Sequence, residues 1–209
     1  GTISVIALSD DGKWLVTGSD TKDALLWSLA DLSKPAIRLA AHRFEVSTAT
    51  FSHDSETGDL RICTGDSGGV CHLWRRDPST GNWKTYSRIA THEPGYGITG
   101  VAFTRDGSRL HTASQDHTVM QWDLATGNRL GNLTLRHPDG VRNLLLTADS
   151  KRAITMCSSG DDSYRLYSWD IDTAKAIECD INIPGSTATG LSLLPSQSTA
   201  LLTTTTGDT

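Results

Sequence analysis

Ile98-Thr-Gly-Val-Ala-Phe-Thr-Arg-Asp-Gly107 alternates apolar with small or polar residues and ends in Asp-Gly, and the short run Val119-Met-Gln-Trp122 follows it. Period-two alternation marks a strand with one face buried, and Asp-Gly supplies a tight turn between strands. The same pair of runs recurs along the chain. Ile3 to Gly12 precedes Ala24-Leu-Leu-Trp27, Val46 to Asp54 precedes Val70-Cys-His-Leu-Trp74, and Val141 to Asp149 precedes Tyr164-Arg-Leu-Tyr-Ser-Trp169. Trp27, Trp74, Trp122 and Trp169 are 47, 48 and 47 residues apart. A fixed period of that size marks a repeat architecture. A fifth copy opens at Thr189-Gly-Leu-Ser-Leu-Leu194 and runs into Ala200-Leu-Leu-Thr-Thr204.

No stretch sustains helical periodicity. Each unit offers four strand-length segments: the alternating strand, one ending in Thr, the Trp strand, and a return strand such as Ala36-Ile-Arg-Leu39. Four antiparallel strands per unit, repeated, predict an all-β propeller of four blades plus part of a fifth. One domain is expected over 1–209, with repeats at 1–41, 42–91, 92–136, 137–183 and a partial 184–209.

Across 209 residues, 37% are hydrophobic and 21% charged, which fits a folded domain and excludes a disordered chain. Nineteen Lys and Arg against 24 Asp and Glu give a net charge of −5, unlike the basic excess of a polyanion binder. Nucleic acid is therefore not an expected partner. No apolar run approaches the ~20 residues of a membrane-spanning helix, so no membrane partner is expected either. Four cysteines are too few for a disulfide scaffold. That cysteine usage fits a reducing, cytoplasmic setting, and with no basic-then-apolar leader at Gly1 any targeting segment is expected to have been removed or never to have existed.

On these repeats the chain resembles the WD-repeat β-propeller family over essentially its whole length. In the third repeat, His92 precedes the first strand, Thr112 ends the second, Asp116 lies in the next turn, and Trp122-Asp123 ends the third. The resemblance implies a structural tetrad in which His, Ser or Thr, Asp and Trp hydrogen-bond to lock a blade. The chemistry is independent of the family: a buried indole N–H needs an acceptor, and an imidazole–carboxylate pair satisfies what remains. Repeat two keeps His42, Thr64 and Trp74 but has Gly68 in the Asp slot. Repeat four keeps His137, Thr155 and Trp169, with a longer acidic turn at Gly160-Asp161-Asp162. Repeat one has Thr17 and Trp27, with Thr21 in the Asp slot and Asp20 one place off. A ring of seven blades at this period needs about 330 residues, so the chain reads as a partial ring of a longer propeller. The linker from Leu29 to His42 is similar to spacers in multidomain bacterial WD-repeat proteins.

Gly65-Asp66-Ser67-Gly68-Gly69 matches the nucleophile motif of trypsin-like proteases and, as G-x-S-x-G, that of α/β-hydrolases, while Ala40-Ala41-His42 resembles a catalytic-histidine motif. A serine hydrolase using Ser67 and His42 is therefore the enzymatic alternative. It requires a His base within about 3 Å of the Ser hydroxyl and a carboxylate orienting that His. Context opposes it, because a hydrolase elbow passes into a helix whereas Val70 to Trp74 continues as a strand. No catalytic residue, cofactor or metal is expected. Cys63 and Cys71 should lie opposite each other across a hairpin, close enough for a strained disulfide but more simply read as reduced. His53, His72, His111 and His117 share no metal spacing and are expected in surface or turn positions.

Propeller strands hold the blades, so function falls to the loops. By the family pattern one face presents Arg43, Phe44, Glu45, Glu93, Tyr96, Asp139 and Arg142. The Trp-strand turns add Gln115, His117, Asp161 and Asp162. The expected role is a non-catalytic scaffold or sensor that binds a protein or peptide there, with Phe44 and Tyr96 as anchors. The other alternative is an architectural domain that packs on further domains of its own chain.

Overall fold

The computed structural model describes residues 1–54, 57–90, 92–159, 163–183, 187–193 and 200–205. All of its regular structure is β. Blade one comprises β1 (Ile3–Leu8), β2 (Trp14–Ser19), β3 (Ala24–Ser28) and β4 (Ile37–Leu39). Blade two comprises β5 (Val46–His53), β6 (Leu60–Asp66), β7 (Val70–Arg76) and β8 (Trp83–Ala90). Blade three follows with β9 (Ile98–Phe103), β10 (Arg109–Ser114), β11 (Thr118–Asp123) and β12 (Arg129–Arg136). Blade four has β13 (Val141–Leu146), β14 (Arg152–Ser159), β15 (Ser163–Asp170) and β16 (Lys175–Ile183). A two-stranded sheet, β17 (Thr187–Leu193) with β18 (Ala200–Thr205), opens a fifth. Strands in each sheet run antiparallel in sequence order, as the repeat predicts.

The first hairpin of blades one and three turns on glycine. Gly12 and Gly107 both sit at φ +67°, a region open to Gly at little cost, and each N–H donates three residues back, to the carbonyls of Ser9 and Thr104. In each turn a hydroxyl also reaches a carboxylate, Ser9 to Asp11 at 2.7 Å and Thr104 to Asp106 at 2.6 Å. Blade four keeps the device through Thr147 and Asp149 at 2.7 Å, with Ser150 taking the positive φ.

The core lies between blades rather than within them. Val16, Leu26 and Leu39 of blade one meet Val46, Ile62 and Trp74 of blade two. Cys63, Leu73 and Ile89 meet Ile98, Leu110 and Trp122, and Ala113, Val119 and Leu135 meet Val141, Leu144 and Ile171. Inner strands are stitched together as well: the Ser47 hydroxyl donates to the Ile98 carbonyl at 2.5 Å, and the Thr99 hydroxyl to that of Val141 at 2.7 Å. Blades two and three are thus covered on both faces.

Double covering corrects two expectations. His72 on β7 and His111 on β10 are buried strand residues, not surface or turn residues, because period-two alternation does not expose either face of an inner strand here. Cys63 and Cys71 are not opposite each other either. Cys63 pairs with Leu73 and Cys71 with Gly65, which makes the two cysteines diagonal neighbours, both buried free thiols.

Blade one differs on one side. Ile6 stands opposite Thr17, as Val101 does opposite Thr112 and Leu144 opposite Thr155. Val101 and Leu144 are 7% and 3% exposed beneath the preceding blade, whereas Ile6 is 63% exposed, with Ile3 and Leu8 exposed beside it.

Candidate functional site

Two separate sets of polar residues emerge: buried relays that lock the blades, and loops gathered at one end. In blade three the Trp122 indole N–H donates to the Thr112 hydroxyl at 3.0 Å. Thr112 in turn bonds His92 Nε2 at 2.8 Å, and His92 Nδ1 bonds Asp116 at 2.8 Å. A single proton assignment serves all three contacts: Trp N–H to Thr, Thr O–H to Nε2, Nδ1–H to carboxylate. Burial alone would raise the Asp116 pKa, but hydrogen bonds from His92, Thr118 and the Glu93 N–H overcome it and hold the carboxyl at about 2.

Blade two reaches the same end by another route. Trp74 donates to Thr64 at 2.8 Å, and Thr64 bonds His42 Nε2 at 2.7 Å. The carboxylate on His42 Nδ1 is Asp66, at 2.8 Å, so the reading of a relay without an Asp is corrected. Asp66 pairs with Val46, the register position that Ser114 holds opposite Ile98, two residues before the Asp116 slot. The loop from His42 to β5 is two residues shorter than that from His92 to β9, which draws the imidazole toward the strand end. Asp66 also accepts the Gly68 and Val70 N–H groups at 3.0 and 3.1 Å.

Blade four retains Trp169 to Thr155 at 3.0 Å and Thr155 to His137 Nε2 at 2.8 Å, while His137 Nδ1 has no partner among the described residues. Blade one retains only Trp27 to Thr17, at 3.1 Å, among the described residues.

These bonds remove the hydrolase alternative. Both nitrogens of His42 are engaged, by Asp66 and Thr64, so neither can serve Ser67 as a base. Ser67 is instead an exposed turn residue whose N–H donates to the Glu45 carbonyl at 2.9 Å. Among the described residues no cluster of three or more His, Cys, Asp or Glu could hold a metal.

The loops before β5 and β9 crowd onto the β6–β7 turn. A Cβ built on Gly68 would lie 2.2 Å from the Phe44 ring, one on Gly69 2.9 Å from the Tyr96 carbonyl, and one on Gly97 3.1 Å from the Ser67 backbone. Glycine at these points lets three loops meet as one surface. Phe44 lies across Gly68 of its own blade yet remains 53% exposed, and Tyr96 is 41% exposed. Arg43, Glu45 and Glu93 are exposed beside them. Further round, the loop before β13 packs on the β10–β11 turn: a Gly140 Cβ would meet the Gln115 carbonyl at 3.1 Å, and His117 Nδ1 bonds the Pro138 carbonyl at 2.9 Å. Asp139 is half-buried there, and Arg142 donates to Ser158 at 3.0 Å. Asp161 and Asp162 lie outside the described residues. Sequence reasoning missed Arg88 on β8, which lines a cavity beside Phe44, because nothing in a return strand signals nearness to the loop face.

The profile of the WD domain, G-beta repeat family matches residues 1–28 and 83–123. Nuclear distribution protein nudF of Aspergillus niger is 28% identical over 61% of this chain and 31% of its own length. A WD repeat-containing protein WDS homolog of Arabidopsis thaliana is 26% identical over 82% of this chain and 32% of its own. A guanine nucleotide-binding protein subunit beta of Arabidopsis thaliana is 27% identical over 80% and 44%. The chain therefore spans about a third of the first two relatives and less than half of the third. With Trp–Thr–His–Asp relays inside four-stranded blades and these matches alongside, the chain is an all-β propeller similar to WD-repeat proteins.

Proposed function

We propose that this chain is a non-catalytic interaction module that binds a protein or peptide on the face formed by the loops before β5, β9 and β13. The observation that carries this reading is the close approach of the loops before β5 and β9 to the β6–β7 turn at glycine, with two exposed aromatic side chains, Phe44 and Tyr96, on the surface they form. A surface fixed before binding loses little conformational entropy on association, and half-exposed aromatics are the usual anchors. The polar groups that could have suggested catalysis are consumed by the blade relays. The relative named as a guanine nucleotide-binding protein subunit is a chain that works in an assembly, which supports the same reading.

Phe44→Ala and Tyr96→Ala, each made in the full-length protein, are expected to weaken partner binding at least tenfold while the melting temperature stays near that of the parent. Binding unchanged in both variants would rule the loop face out. It would turn attention to the architectural alternative, in which the propeller packs on further domains of its own chain.

A further inference from the structure

Between blades two and three, a cavity of about 690 Å³ opens on the loop face. Arg43, Phe44, Asp66, Gly68, His72 and Arg88 line it. His72 is only 7% exposed, and its Nδ1 is buried without a hydrogen-bond partner among the described residues. Arg43 and Arg88 are exposed and, among the described residues, form no ion pair. The other groups of the wall are already committed: Asp66 to His42, Gly68 and Val70, and His92 to Thr112 and Asp116.

We propose that this cavity binds the carboxylate of an Asp or Glu side chain on the partner, with Arg43 and Arg88 as the charged clamp. The proposal rests on the loop-face reading and names the chemistry that this face selects. Two guanidinium groups select an anion. Burial, with His42 nearby, holds the His72 pKa at about 4, so at neutral pH this imidazole adds no charge to the wall. Against two positive charges stands the Asp66 carboxylate in the same wall, leaving a surplus of one. A carboxylate balances that surplus, whereas a phosphate dianion overshoots it. Phe44 walls the cavity beside Gly68, giving the stem of an acidic side chain an apolar surface.

Arginine-directed labelling with phenylglyoxal, read residue by residue by mass spectrometry on the full-length protein, tests this. The probes are acetyl-Gly-Glu-Gly-amide and its Gln and phosphoserine counterparts. The Glu peptide is expected to slow labelling of Arg43 and Arg88 at least threefold and leave exposed Arg136 unchanged. The Gln peptide should do nothing, and Arg88→Ala should abolish protection of Arg43. Absent protection, equal protection by Gln, protection by phosphoserine alone, or protection of Arg43 surviving Arg88→Ala would each overturn the proposal. Partner binding lost in Phe44→Ala without peptide protection overturns the carboxylate site and spares the loop face. Peptide protection with partner binding intact in Phe44→Ala and Tyr96→Ala does the reverse.

Discussion

Thr112→Val is expected to destabilise the protein by about 2–5 kcal/mol, because one hydroxyl serves two buried partners. Valine keeps the shape and removes both contacts, so the Trp122 N–H and His92 Nε2 are left unpaired in a wall without water access. Each such orphan costs roughly 1–3 kcal/mol. The blades supply their own internal series. Thr64→Val should match Thr112→Val, since Thr64 serves Trp74 and His42 in the same way. Thr17→Val should cost less, about 1 kcal/mol, because only Trp27 loses a partner and that indole is half-buried, within reach of water. Urea denaturation midpoints of the three variants check the order. Equal effects at Thr17 and Thr112 would show that the relays add nothing beyond the Trp contact.

The second large effect is acid sensitivity well above the carboxylate range. Burial holds His111 and His137 at about 4, as it does His72, each lowered from about 6.5. His111 is fully buried, with both ring nitrogens unpaired among the described residues. A depressed histidine pKa means that the unfolded chain takes up the proton first. Stability is therefore complete above pH 6.5 and is lost as pH falls toward 4. For His111 alone the loss by pH 5 is about 2 kcal/mol, with His72 and His137 acting in the same direction. Asp116, held at about 2 by its bonds, adds a further loss only below about pH 4. Denaturant midpoints at pH 7 and pH 5 should differ clearly, and His111→Phe should reduce the difference. Identical midpoints at the two pH values would contradict burial of neutral imidazoles.

The blade count was legible from four tryptophans at a steady period, three of them ten residues after a threonine that accepts the indole N–H. Strand positions followed from alternation and from Asp-Gly turns, and the return strand of blade one lies at Ile37–Leu39 within the expected Ala36–Leu39. Alternation failed where both faces are covered. His72 and His111 read as exposed because a single strand cannot report the blade that packs on its other side. Asp66 escaped notice because a two-residue change in the preceding loop moved the carboxylate to another register position. At the loop face, Phe44 and Tyr96 were visible as aromatics in loops. The cavity beside them was not, since it joins Arg43, His72 and Arg88 from a loop and two strands.

The loop-face reading is tested most directly by placing the photo-crosslinking residue p-benzoylphenylalanine at position 44, at position 96 and, as a control, at position 136 in the full-length protein. Irradiation in cells is predicted to give the same discrete protein adduct from positions 44 and 96 and none from 136. No adduct from 44 and 96, or the same adduct from all three positions, would contradict binding at this face.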